Sequence, residues 1–187
     1  MLVLDHADDG AAIKAGLGAG ASITAVIAGD PSETAAQSVA ASPDVLVISR
    51  AMSGPGLVTL ISAIVAAQAL PIVVFVQRAD SDDARAAVRA GASAFIVDGL
   101  SPGRVRPVID VAIERFRITS GLQEELQKSR DDLAARKTIE RAKGLLMERK
   151  GLAEQEAYDA MRRMAMAQGK PLREIAATIL SISDLLP

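Results

Sequence analysis

The sequence predicts an α/β domain built on a five-stranded parallel sheet, followed by an all-helical region. Three observations predict it. Short β-branched runs alternate with Ala-rich helical stretches over the first two-thirds of the chain. Those runs are continuously apolar rather than alternating, as strands covered on both faces should be. After Ser101-Pro102 the strand signal ends and helical patterning takes over.

The candidate strands are Leu2–Leu4, Ile23–Ile27, Val45–Ile48, Ile72–Val76 and Phe95–Val97. Helical stretches follow Asp8-Asp9 and Pro31, and two more run over Gly56–Ala67 and Ser81–Ala90. Ser81-Asp82-Asp83 is a good helix start and Gly91 a good stop. Right-handed crossovers turn this βαβ repeat into a parallel sheet with helices on both faces, in the flavodoxin-like order 2-1-3-4-5. Its ligand crevice lies at the carboxyl ends of strands one and three.

From Arg104 to about Lys150 one long helix is expected, with Pro107 in its first turn, where proline is tolerated. Leu122, Leu126, Ser129 and Leu133 follow a 4-3-4 spacing, the seam of a short coiled coil, so the helix is expected to pair with a second copy. Gly151 ends this helix. Residues 153–168 form a second, with Ala157, Met161, Met164 and Ala165 on its apolar stripe. Gly169 caps it, and Lys170-Pro171 opens a third, lined by Leu172, Ile175, Ala176, Ile179 and Leu180. Three short helices with Gly between them make a small bundle.

The 187 residues include no Cys and no Trp, one His and one Tyr, with 2% aromatics. Disulfide scaffolds, thiolate zinc sites and thiol catalysis are excluded, and stacked aromatic platforms are improbable. Residues 1–117 carry net −3, whereas 136–173 hold ten bases against five acids, net +5. A basic segment inside an acidic chain suggests a polyanion partner, the bland reading being a solvated helix face. The absence of a basic leader and of a membrane-length apolar run predicts a cytoplasmic protein with no membrane partner. Gly16, Gly18 and Gly20 close a helix and precede a strand, the reverse of a nucleotide-binding loop.

Asp5 ends the first strand and has His6 as neighbour; Ser49 ends the third, Val76 the fourth and Asp98 the fifth. Over residues 1 to about 117 the pattern resembles a response-regulator receiver. That family places an acid pair, a phosphoacceptor Asp, a hydroxyl and a Lys at those positions. The resemblance therefore implies a pseudo-receiver. There is no phosphoacceptor, with Ser49 at the acceptor position, because aspartyl chemistry needs a carboxylate. There is no metal site either, unless Asp8 and Asp9 compensate in part, and His6 reads as a hydrogen-bonded loop histidine.

The most specific string is Ala142-Lys143-Gly144-Leu145-Leu146-Met147, followed by Gly151-Leu152-Ala153-Glu154 and Glu156-Ala157-Tyr158. With Met161-Arg162-Arg163 and Leu172-Arg173-Glu174-Ile175-Ala176 it resembles the ANTAR module of AmiR/NasT-type transcription antiterminators, over residues 127–187. Phe95-Ile96-Val97-Asp98-Gly99-Leu100 and the stretch from Arg104 to Ile109 look nearest the nitrate-responsive NasT branch. The expected organisation is a pseudo-receiver over 1–117, a coiled-coil linker over 118–136 and an RNA-binding domain over 127–187.

The resemblance implies a non-enzymatic, cofactor-free homodimer that binds paired RNA hairpins in a leader transcript. Control would come from a cytoplasmic binding-protein-like repressor that senses nitrate or nitrite. A phosphorylation-dependent response regulator and a DNA-binding regulator are the alternatives; no tight turn places an obvious recognition helix.

The residues support this independently. Arg136, Glu140, Lys143, Met147 and Lys150 share one helical stripe, and Ile139, Ala142 and Leu146 another that enters the bundle. Gly144 costs a helix about 1 kcal/mol against Ala, so it is expected to permit close approach of RNA or of a packing helix. Lys143 and Met147 are expected to read loop bases, with Arg136, Arg141, Arg149, Arg162 and Arg173 on phosphates. Truncating Lys143 is then expected to leave the fold intact.

Overall fold

The computed structural model describes residues 1–5, 10–98 and 100–185. His6, Asp8, Asp9 and Gly99, and the expectations resting on them, lie outside the described residues. The chain divides into two compact units, Met1–Ser120 and Gly121–Pro187.

The first unit alternates β1 (Leu2–Leu4), α1 (Gly10–Leu17), β2 (Ala25–Ile27), α2 (Pro31–Ala41), β3 (Leu46–Met52), α3 (Pro55–Ala67), β4 (Ile72–Arg78), α4 (Ser81–Ala90) and β5 (Ala94–Val97). The sheet is parallel throughout, in the order β2-β1-β3-β4-β5. Successive side chains of a strand point to opposite faces, which builds two cores. On one face Leu2, Leu4, Val47, Val73 and Phe75 pack against Ile13 of α1 and the start of α5 (Pro102–Lys150). On the other, Val3, Leu46, Ile48, Ile72 and Val74 meet α2, α3 and α4 through Ala35, Leu57, Ile61, Ile64 and Ala87. Local signals set the helix ends. Asp30 caps α2 by accepting from the Ser32 and Glu33 amides at 2.9 and 3.2 Å, ahead of Pro31.

Several details differ from the sequence reading, among them β2, which begins at Ala25 rather than Ile23. β3 and β4 run on to Met52 and Arg78 because they pair with each other there, Met52 against Arg78, beyond the apolar run that marks each strand. This extension carries Arg50 on β3 past Ser49. α5 begins at Pro102, so Pro107 lies inside the helix rather than in its first turn. The carbonyl four residues back, on exposed Gly103, there loses its helical donor. Gly16 is where α1 meets α5: a Cβ there would lie 2.7 Å from the Val105 Cβ, so the glycine sets the closeness of these helices.

α5 continues into the second unit, where it is followed by α6 (Glu154–Gln168) and α7 (Leu172–Leu185). Gly151 and Gly169, at φ +63° and +62°, end α5 and α6 in the left-handed conformation that glycine adopts without strain. Ala142, Met161, Ala165, Ile175 and Ala176 are the buried centre of this bundle, with Ile139, Leu146, Leu172, Ile179 and Leu180 packed around it. Met164 is not part of it. It is 42% exposed, one position off the face that carries Ala157, Met161 and Ala165.

Candidate nucleic-acid interface and remnant receiver site

At the carboxyl ends of the strands, register places Ser49 between Leu4 of β1 and Phe75 of β4. Ser49 and Val76 are buried, and Asp98 follows β5 at φ +48°. Asp5 is committed elsewhere. Its Oδ1 accepts from Arg50 Nε at 2.8 Å and its Oδ2 from the Ala51 amide at 3.1 Å. A charge-assisted pair on each oxygen leaves the carboxylate satisfied by the protein's own cation. Among the described residues no cluster of acids or histidine could hold a metal ion. Incubation with Mg²⁺ and acetyl phosphate is therefore expected to leave the chain unlabelled by mass spectrometry; a stoichiometric phosphate adduct would overturn this reading.

In the second unit the positions expected to face RNA lie on α5, α6 and α7. Gly144 sits on the side of α5 away from the buried Ala142, and a Cβ there would meet nothing within 4 Å. No packing helix among the described residues accounts for it. Arg136 and Arg141 precede it on the exposed surface of α5, with Met147 38% exposed after it. Arg162 and Arg163 on α6 and Arg173 in the first turn of α7 are exposed. Among the described residues these five arginines make no hydrogen bond or ion pair within the chain. Arg149 is exposed and has a partner.

Lys143 differs from the rest. Its side chain is only 12% exposed, and its ammonium lies 2.7 Å from Glu140 Oε2 and 2.7 Å from Glu154 Oε1. Glu140 is one helical turn back on α5; Glu154 is the first residue of α6, across the Gly151 turn. The hydrogen bond to Glu140, then that to Glu154, holds the lysine above its ordinary value of 10.5. Lys143 in turn holds the Glu154 carboxyl below 4.5. Glu156 caps the start of α6 itself, accepting from the Ala153 amide at 2.8 Å. Lys143 is thus not a free cation. Its truncation, expected to spare the fold, also removes the ion pairs that hold the N-terminus of α6 beside α5. The chain separation of Glu154, eleven residues on, hid this partner from stripe arguments along one helix.

Gly169, Lys170 and Pro171 separate α6 from α7, and this turn places no obvious recognition helix. As a duplex-reading helix α7 is poorly equipped, since Arg173 is its one cation. A groove-reading helix needs several donors to bases and phosphates.

The chain thus joins a receiver-type α/β unit to a helical bundle. The ANTAR domain family matches residues 127–180. The chain is 31% identical over 153 residues to the transcriptional regulatory protein PdtaR of Mycobacterium tuberculosis (strain H37Rv), across 82% of this chain and 75% of PdtaR. Over 64 residues it is 39% identical to the Nitrate regulatory protein of Klebsiella oxytoca, which is 34% of this chain and 16% of that protein. In fold it is similar to a LuxR-family two-component response regulator from Aurantimonas sp. SI85-9A1, with TM-score 0.52 and 24% identity over 61% of this chain and 83% of that one. The chain belongs to the family of ANTAR-type regulators with a receiver-like domain. Its relatives are named as regulatory proteins, and no helix among the described residues is long and apolar enough to cross a membrane.

Proposed function

We propose that this protein is an RNA-binding transcription antiterminator, acting in the cytoplasm as a dimer on paired hairpins of a leader transcript. The reading divides the chain into a pseudo-receiver over 1–117, a coiled-coil linker over 118–136 and an RNA-binding domain over 127–187. The observation that carries it is Gly144. A mid-helix glycine is costly, and a Cβ on this one would meet nothing within 4 Å among the described residues, with exposed, unpaired Arg141 and Arg136 before it on α5. Open space beside a bare backbone, preceded by cations, suits close approach of a phosphodiester chain or a splayed loop base. Arg136, Arg141, Arg162 and Arg173 hold the backbone and Met147 offers an apolar contact.

The ion pair between Asp5 and Arg50 supports control without phosphorylation; control then falls to a partner that senses a ligand. The region shared with the Klebsiella nitrate regulator, and the stretch around Phe95 to Leu100, support nitrate or nitrite assimilation genes as targets. A leader–reporter fusion from such genes, read with and without nitrate, tests that part separately.

Gel-shift titration tests the interface. Gly144→Ala is expected to raise stability by about 1 kcal/mol while weakening hairpin binding by roughly tenfold. Improved stability with unchanged affinity would reject the site. Arg162→Ala with Arg163→Ala is expected to weaken all hairpins alike. It should also flatten the salt dependence by about one unit of slope for each phosphate that is no longer neutralised.

A further inference from the structure

The carboxyl edge of the sheet has lost its phosphoryl chemistry yet retains a cavity of about 370 Å³. Buried Ser49 and Val76 lie at its floor, and Arg50, Gln77, Ser101 and Arg104 line its walls and rim. Among the described lining residues two guanidinium groups stand against one carboxylate. Each guanidinium offers five N–H groups, and Asp5 engages the Nε of Arg50 only through Oδ1. Arg104, in the first turn of α5, makes no hydrogen bond or ion pair with its side chain among the described residues. Ser49, Ser101 and Gln77 add two hydroxyls and an amide. Against them, the one carboxylate among the described lining residues is that of Asp98, which is exposed to solvent at the rim.

We propose that this cavity binds a small metabolite through an oxyanion head, a phosphate or a carboxylate, clamped between Arg50 and Arg104. Planar guanidinium forks match either head in bidentate fashion. The volume exceeds what a bare anion needs and falls in the range of small-molecule sites, so the ligand carries a short body as well. Ser49 then donates a hydrogen bond to the head from the position where a receiver would be phosphorylated. The Asp5 pair orients Arg50 and supplies the fixed charge balance of the site. This inference is independent of RNA binding.

Thermal-shift titration of the full chain with inorganic phosphate and with succinate, against chloride at matched ionic strength, tests it. A saturable stabilisation by either anion beyond chloride is expected; phosphate alone identifies a phosphoryl head, succinate alone a carboxylate head. Arg104→Ala is expected to weaken that response by about tenfold or more, and Arg104→Lys to restore it in part. Circular dichroism in chloride checks that both variants fold. Because the RNA-binding arginines also attract anions, Arg162→Ala with Arg163→Ala serves as the control and is expected to leave the response unchanged. No saturable response, an unchanged response in Arg104→Ala, or loss of it in the Arg162 and Arg163 variant would each overturn the proposal.

Discussion

Replacing Lys143 with Glu is expected to release the N-terminus of α6 from α5, lower the thermal midpoint and weaken hairpin binding on the order of tenfold. The reason is local. The substitution puts a third carboxylate beside Glu140 and Glu154, which now lie 2.7 Å from a single ammonium. Exchanging the charges, Lys143→Glu together with Glu154→Lys, is expected to recover most of both losses, because a cation on α6 again faces an anion on α5. A lysine that reads a base gives the opposite pattern: stability intact in the single variant, and binding not rescued by the exchange.

The pH dependence carries the same information. Lys143 is raised by its partners, so its contribution is complete below 10.5 and is lost as pH rises through the folded value. Glu154 is lowered, so its contribution is present above 4.5 and is lost as pH falls through the folded value. The tie is therefore expected to persist across the neutral range. The stability difference between wild type and Lys143→Ala should be flat there and shrink at both extremes.

Leu126→Asp combined with Leu133→Asp is expected to convert a dimer to a monomer in sedimentation and to reduce helical circular dichroism. Every residue from 121 to 134 on α5 is exposed in the single chain. Leu122, Leu126 and Leu133 are 62%, 52% and 55% exposed. A helical stretch of this length with no packed face is marginal in water, since helices in proteins draw most of their stability from burying an apolar stripe. A second copy covering the leucine seam supplies that burial. The wild-type melting temperature should accordingly rise with protein concentration, and the variant's should not. A dimer unchanged by the two aspartates, or a fully helical monomeric wild type, would remove the linker as the interface.

Much of the architecture is written in residues close together in the chain. The β-branched runs, the Asp30-Pro31 start, the Gly91, Gly151 and Gly169 stops and the stripe of Ile139, Ala142 and Leu146 are short-period signals. The runs and the stripe report which faces are buried, and the caps report where the helices begin and end. Crossover handedness then leaves few sheet orders, and β2-β1-β3-β4-β5 is the one realised. The loss of receiver chemistry is equally legible, because it depends only on which residue types occupy Ser49, Val76 and Asp98.

What the tertiary structure alone decided concerns pairs. Asp5 and Arg50 are 45 residues apart and meet because β1 and β3 are neighbours. Lys143 and Glu154 meet because the Gly151 turn brings the first residue of α6 against α5. On α5 alone, Lys143 and Arg136 fall on one stripe and look alike; packing leaves one exposed and gives the other a second carboxylate, Glu154, beside its helical neighbour Glu140. Periodicity encodes which way a side chain points from its own element, but not what stands opposite it, and the opposite group determines whether a charge is spent inside the fold or left for a ligand.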